Sequence, residues 1–210
     1  MNPINTNSIR NIIFDLGGVI LNIDYHKTEQ AFINLGIADF KELYSQFHAN
    51  SFFKDFEKGK IDPQLFVSQL KTYAPDLSEH DIITAWNAML LDFPPGRIEF
   101  LLKLKNHYRT FLLSNTNAIH HQAFQKIELD TAGTLDACFE KVYYSHEMGL
   151  RKPDKEIFEF VLNENKLVAR ETLFLDDTLA NVEAARSVNL QAIYITSSER
   201  IEDILFEFVE

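Results

Sequence analysis

One cysteine, Cys138, leaves no partner for an internal disulfide. The fold must therefore hold by packing, which suits a reducing compartment. Cys138 itself reads as a small buried apolar residue beside Phe139. Positive charge is also in deficit. The chain carries 20 Lys and Arg against 31 Asp and Glu, a formal charge of −11. It has no net attraction for nucleic acid or anionic membranes, although a metal ion and a few aimed donors can still hold an anion locally. No apolar run is long enough to cross a bilayer, and the polar stretch from Met1 to Arg10 lacks the apolar segment of a signal peptide. These absences lead us to expect a soluble cytoplasmic protein with neither nucleic-acid nor membrane partners; they say nothing of its oligomeric state. No internal repeat or low-complexity stretch interrupts the chain. What is plentiful is apolar material: 46% of the residues, with 18 Phe, enough to bury a real core.

Five short apolar runs read as buried strands: Asn11–Phe14, Thr110–Leu113, Val142–Tyr144, Thr172–Leu175 and Gln191–Ile195. They lack strict alternation, as strands covered on both faces do in a parallel sheet. Helical patterns separate them. Ile157, Phe158, Val161 and Leu162 form one face of a helix after Asp154, and Leu179 to Val188 reads similarly. Alternating strands and helices predict a doubly wound α/β fold. The interval between Phe14 and Thr110 carries helix signals instead: Lys27–Leu35 ending at Gly36, Asp39–His48, a helix opened by Asp62 and Pro63, and a capping box from Ser78 to Asp81. We expect a core domain from residues 1–23 and 94–210, with a helical insertion at 24–93 and the return marked by Pro94, Pro95 and Gly96.

In an open parallel sheet, ligands bind beyond the carboxyl ends of the strands. Polar residues gather there from separate segments: Asp15 after the first run, Ser114 and Asn115 after the second, Lys152 after the third, Asp176 and Asp177 after the fourth. Three carboxylates at one rim repel one another unless a cation joins them. Oxygen-only ligands suit a hard ion such as Mg2+. His120 and His121 read as surface residues of a helix, and Trp86 as core.

The segments Phe14-Asp15-Leu16-Gly17-Gly18-Val19, Leu113-Ser114-Asn115-Thr116-Asn117, Arg151-Lys152-Pro153-Asp154 and Phe174-Leu175-Asp176-Asp177, with Asn181 following, occur in an order that resembles the haloacid dehalogenase superfamily, in its phosphatase branch with a helical cap. The likeness spans nearly the whole chain and looks nearest to sugar-phosphate phosphatases of the glucose-1-phosphate type. It implies that Asp15 is a nucleophile forming an aspartyl-phosphate. It implies Mg2+ held by Asp15, the Gly17 carbonyl, and Asp176 or Asp177. Gly17 and Gly18 would let the backbone approach phosphate, with Ser114 and the Asn115 N–H as donors. Lys152 would neutralise the transferring group, with Asn181 orienting it or the metal carboxylates. Glu57-Lys58-Gly59-Lys60 resembles the cap loop that faces substrate, so Glu57 and Phe52 are expected to contact a small phosphorylated metabolite.

One position departs from the pattern. Most phosphatases of the superfamily carry an Asp two residues after the nucleophile, which protonates the leaving group; here it is Gly17. Three readings follow. The substrate has a leaving group that needs little help, Asp24 at the mouth of the insertion substitutes, or the protein binds phosphate with weak turnover. Dehalogenases also lack that Asp, but they use no metal and need no Asp176-Asp177 pair. The first reading predicts the order aryl or acyl phosphate, then sugar 1-phosphate, then sugar 6-phosphate. The alternative to a capping role for Asp24 is that of the proton donor.

Overall fold

The computed structural model describes residues 6–37, 40–43, 51–131 and 135–209. Five strands form one parallel sheet in the order β3-β2-β1-β4-β5. They are β1 (Asn11–Phe14), β2 (Arg109–Ser114), β3 (Lys141–Tyr144), β4 (Thr172–Asp176) and β5 (Gln191–Tyr194). The expected runs are all present, shifted by at most one residue at an end. β1 lies at the centre, paired with β2 and β4 on either side.

Alternate residues of each strand feed two different core layers. Ile12, Phe14, Leu112, Leu173 and Leu175 pack on one face with Val19, Leu101 and Phe124. Ile13, Phe111, Leu113 and Phe174 pack on the other with Ile157, Phe158 and Val182. Each fully buried side chain of this size contributes about 1.5–3 kcal/mol, which is why these strands are apolar on both faces. The covering helices are α6 (Arg97–Lys105), α7 (Ala118–Thr131), α8 (Ser145–Met148), α9 (Lys155–Glu164), α10 (Leu179–Ser187) and α11 (Ile201–Ile204). Cys138 is fully buried.

Between β1 and α6 the described residues form helices: α1 (Tyr25–Asn34), α2 (Phe40–Leu43), α3 (Ser51–Glu57), α4 (Pro63–Lys71) and α5 (Glu79–Asn87). Of the expected helix at Asp39–His48, only Phe40–Leu43 falls within the described residues. Their caps follow the sequence signals. Asp62 accepts from the Leu65 N–H with Pro63 opening α4, and Ser78 and Asp81 bond reciprocally at the start of α5. These helices share a third core rich in aromatic rings. Phe53 stacks on Trp86 at 5.5 Å and Phe56 on Phe66 at 4.0 Å.

The two connections to this unit run side by side. Ile23 and Leu90 form an antiparallel bridge, the Asp24 N–H donates to the Met89 carbonyl, and the Leu91 N–H to that of Asn22. The paired connections fix where the inserted helices sit relative to the sheet. Among the described residues, no helix is long and apolar enough to cross a membrane.

Candidate active site

Strand register brings the first two carboxylates together. Phe14 pairs with Leu175, and the Asp15 N–H donates to the Leu175 carbonyl at 2.9 Å. Asp15 and Asp176 therefore lie one step beyond the same rung of adjacent strands. Asp177 follows, and carboxylate oxygens of the three lie within 4.8 Å of one another. Lys152 is buried between them. Its ammonium donates to Asp15 Oδ1 and to Asp176 Oδ2, both at 2.7 Å. Asn181, on the first turn of α10, donates its amide to both oxygens of Asp176 at 2.9 and 3.1 Å, and the Thr178 N–H adds a third bond to Oδ1.

The lysine is placed by its neighbours. The Asn115 side chain receives the Lys152 N–H and donates to the Lys152 carbonyl, each at 2.9 Å. An asparagine that was expected to offer its backbone to phosphate thus also fixes the loop carrying the cation. Ser114 ends β2 and is buried at the same rim.

The charges do not balance. Three carboxylates face one ammonium. Burial pushes Asp15 up to about 8, and Asp176 and Asp177 add to this against the pull of Lys152. Burial and then Asp176 push Asp177 up to about 6. Burial is the largest single influence on the Lys152 ammonium and disfavours its charge, yet Asp15 and Asp176 together hold it above its ordinary value. Carboxylates that close, buried and under-neutralised are what a hard divalent cation satisfies. By donor type and spacing the site fits Mg2+, and Asp15, Asp176 and Asp177 are the side chains that could hold it.

A cavity of about 310 Å3 opens from this cluster towards the inserted helices. Its floor is Asp15, Gly17, Ser114, Asn115, Lys152, Asp177 and Asn181, and its far wall is Tyr25, Phe53, Lys54, Glu57 and Trp86. Glu57 is paired with Arg151, whose Nη2 and Nε lie 2.8 and 2.9 Å from Oε2. Burial nevertheless holds Glu57 above the usual carboxylate range, with Arg151 pulling it back. Lys58 pairs with Asp154 at 2.8 Å, so two ion pairs join this loop to the segment bearing Lys152.

Several expectations need correction. Phe52 does not line the cavity. It stacks on Phe66 inside the aromatic core of the insertion, and the next residue, Phe53, reaches the cavity because consecutive helical side chains point about 100° apart. Gly18 does not line it either. Its φ is +73°, and a Cβ there would lie 2.2 Å from Asp177 Oδ2, so the missing side chain makes room for a carboxylate and not for phosphate. Asp24 is absent from the lining and serves as the N-cap of α1, accepting from the His26 N–H, which is the capping role and not that of a proton donor. His120 is buried, not superficial. Its ring stacks on Trp86 at 4.9 Å and bonds the Trp86 carbonyl, while Asn117 accepts from the indole N–H. Sequence reasoning also missed Arg151, although it stands next to Lys152 in the same motif.

The model of the haloacid dehalogenase-like hydrolase family matches residues 9–189. The chain belongs to this family. It is 32% identical to a D-ribitol-5-phosphate phosphatase of Bacteroides thetaiotaomicron over 87% of this chain and 90% of that protein. It is 29% identical to a sesquiterpene phosphatase of Aspergillus oryzae over 89% of each. Among solved structures, it is similar to a wild-type enzyme of the same family from Bacteroides thetaiotaomicron in complex with magnesium and inorganic phosphate. The TM-score is 0.85 and the identity 31%, covering 93% of this chain and 98% of that one.

Proposed function

We propose that this hydrolase is a magnesium-dependent phosphatase of a phosphorylated sugar or sugar alcohol, with Asp15 as nucleophile. The observation that carries the reading is the buried Lys152 bridging Asp15 and Asp176, with Asp177 alongside. Mg2+ would supply charge neutralisation at the phosphoryl group. The Asp15 carboxylate attacks phosphorus, the bond to the ester oxygen breaks, and the freed alkoxide takes up a proton from solvent water. Lys152 holds Asp15 in line and offsets charge on the transferring group. Ser114 donates to a phosphoryl oxygen. Water then cleaves the aspartyl-phosphate and releases inorganic phosphate. Asn181 positions Asp176 through its two bonds.

The inserted helices at 24–93 act as a cap in this reading. The cavity has room for a molecule of sugar size, and its wall mixes rings with polar groups: Phe53 and Trp86 beside Lys54, Asn117, Arg151 and Glu57. The Arg151–Glu57 pair offers donors and acceptors to hydroxyl groups. The activity of the Bacteroides relative, a D-ribitol-5-phosphate phosphatase, supports the sugar-alcohol class.

Phosphate release should be measured on a panel comprising a sugar-alcohol 5-phosphate, sugar 1- and 6-phosphates, an aryl phosphate and an isoprenoid phosphate, each with Mg2+ and with chelator. We expect turnover only with Mg2+, and a sugar or sugar-alcohol ester as the substrate with the highest kcat/KM among the biological esters. Equal turnover in chelator would remove the metal from the mechanism. Preference for the isoprenoid ester would overturn the substrate class, and phosphate binding without turnover on any ester would leave a binding module.

A further inference from the structure

A second group of side chains of metal-ligating type lies apart from the carboxylate cluster. His121 is on α7, and His146 and Glu147 are on α8. One ligand atom from each lies within 4.8 Å of the others. None of the three lines the cavity. Glu147 Oε1 is 3.8 Å from His121 Nδ1 and 3.9 Å from His146 Nε2. Those separations are too long for hydrogen bonds. The remaining ring nitrogens, His121 Nε2 and His146 Nδ1, are buried and have no hydrogen-bond partner among the described residues. The nitrogens that face Glu147, His121 Nδ1 and His146 Nε2, are thus the ones placed to ligate an ion, and ligation there leaves the ring proton on the other nitrogen of each ring.

The rings are nevertheless held in place. The side chains of His121 and His146 are only 16% and 11% exposed. Their centroids are 5.4 Å apart, and the His121 ring packs at 4.3 Å from Tyr144 and 5.2 Å from Phe124. The base of α8 is fixed as well, since Ser145 Oγ accepts from the Thr116 N–H and donates to the Thr116 carbonyl, each at 2.9 Å. Burial holds both imidazoles below their ordinary values, which keeps them neutral, the form that ligates metals. Glu147 is 59% exposed and able to swing.

We propose that His121, His146 and Glu147 form a binding site for a zinc ion, separate from the magnesium site. Two imidazoles and one carboxylate are a donor set for a borderline ion; Mg2+ prefers oxygen alone. A tetrahedral ion with ligands at about 2.0–2.1 Å sets them about 3.4 Å apart. The two separations to Glu147 need to shorten by about half an ångström to meet that geometry, within reach of an exposed glutamate, and the two ring nitrogens, within 4.8 Å of each other, must draw together as the ion binds. The fourth ligand is a water on the exposed side. Zinc there ties α7 to α8 beside the point where the inserted unit touches the sheet domain. At that contact a Cβ on Gly59 would fall 2.0 Å from the His146 carbonyl oxygen.

The test is calorimetric titration of Zn2+ into the full chain in saturating Mg2+, with Co2+ absorption as a second readout. Wild type should bind one Zn2+ at this site, and Co2+ should give the intense visible band of a four-coordinate ion with nitrogen ligands. His121→Ala and Glu147→Gln should each weaken Zn2+ by roughly tenfold or more and abolish the Co2+ band. The exposed Glu147→Gln variant should keep its Mg2+-dependent phosphate release, which reports an intact fold. No Zn2+ binding in saturating Mg2+ overturns the proposal. So does Zn2+ affinity unchanged in both variants, since that ion then sits on the carboxylate cluster.

Discussion

Replacing Asp15 by Asn should make the metal-free protein more stable while ending its turnover. Burial raises Asp15 to about 8 from an ordinary 3.8, so folding costs free energy whenever that carboxyl is ionised. The sign follows from proton counting. Between about pH 4 and 8 the native apo-protein retains a proton that the unfolded chain has lost, so stability falls as pH rises through that window. A displacement of this size corresponds to several kcal/mol. Relaxation and coupling to Asp177 absorb part of it, leaving about 2–3 kcal/mol for the variant to recover. Lys152 keeps Asp176 as a partner at 2.7 Å, so no buried cation is stranded. For a domain of this size the gain is roughly 4–12 °C in Tm. Thermal unfolding should be followed in chelator from about pH 4.5 to 8, and again in Mg2+. Wild type should lose Tm with rising pH in chelator and regain it with Mg2+, because a ligand bound only by the native state stabilises it. The Asp15→Asn variant should show a flatter pH slope, a higher apo Tm, a smaller response to Mg2+ and a loss of turnover of roughly 10³-fold or more. An apo wild type whose Tm is flat across this range, with the Asp15→Asn variant no more stable, would refute the account of the buried charges.

Gly18→Ala should impair Mg2+ binding, because its Cβ would meet Asp177 Oδ2 at 2.2 Å and the left-handed backbone adds about 1–2 kcal/mol; Mg2+ titration and thermal unfolding measure the two effects. Arg151→Gln strands Glu57 in the cavity wall, so KM for sugar phosphates should rise more than KM for an aryl phosphate; an equal change in both argues against substrate reading by this pair. Gly17→Asp tests the missing acid. Its Cβ would lie 3.1 Å from Ile23 Cδ1, so it is best paired with Ile23→Val. If leaving-group protonation limits the wild type, the double variant should gain roughly 10²-fold on sugar-alcohol esters and little on aryl esters. Unchanged rates on both would end that argument.

The sheet and the polar residues at its rim were legible because their signals are local. A strand buried on both faces must be apolar throughout, and a polar residue at its carboxyl end stands out, as Asp15, Ser114 and Asp176 do. Caps such as Asp62 and Ser78 were legible for the same reason. Contacts between distant segments were not. Arg151 meets Glu57 and Asn117 meets Trp86 only because the insertion folds back over the sheet, and no pattern within either segment encodes that meeting. Phe52 and Phe53 are the same residue type in adjacent positions, so only the rotation of α3 decides which reaches the cavity. Gly18 was read as room for a ligand when it is room for Asp177. Composition alone does not distinguish the two uses of an absent side chain.

Trp86 is the one tryptophan of the chain. Its indole stacks on Phe53 of α3 and on His120 of α7, and donates to Asn117 just before α7. The protein therefore carries a built-in optical reporter where the helices between β1 and α6 meet α7. Any motion that parts the indole from the His120 ring changes its quenching and its polarity, and so its emission. Stopped-flow fluorescence of the unlabelled enzyme can time that motion against phosphate release.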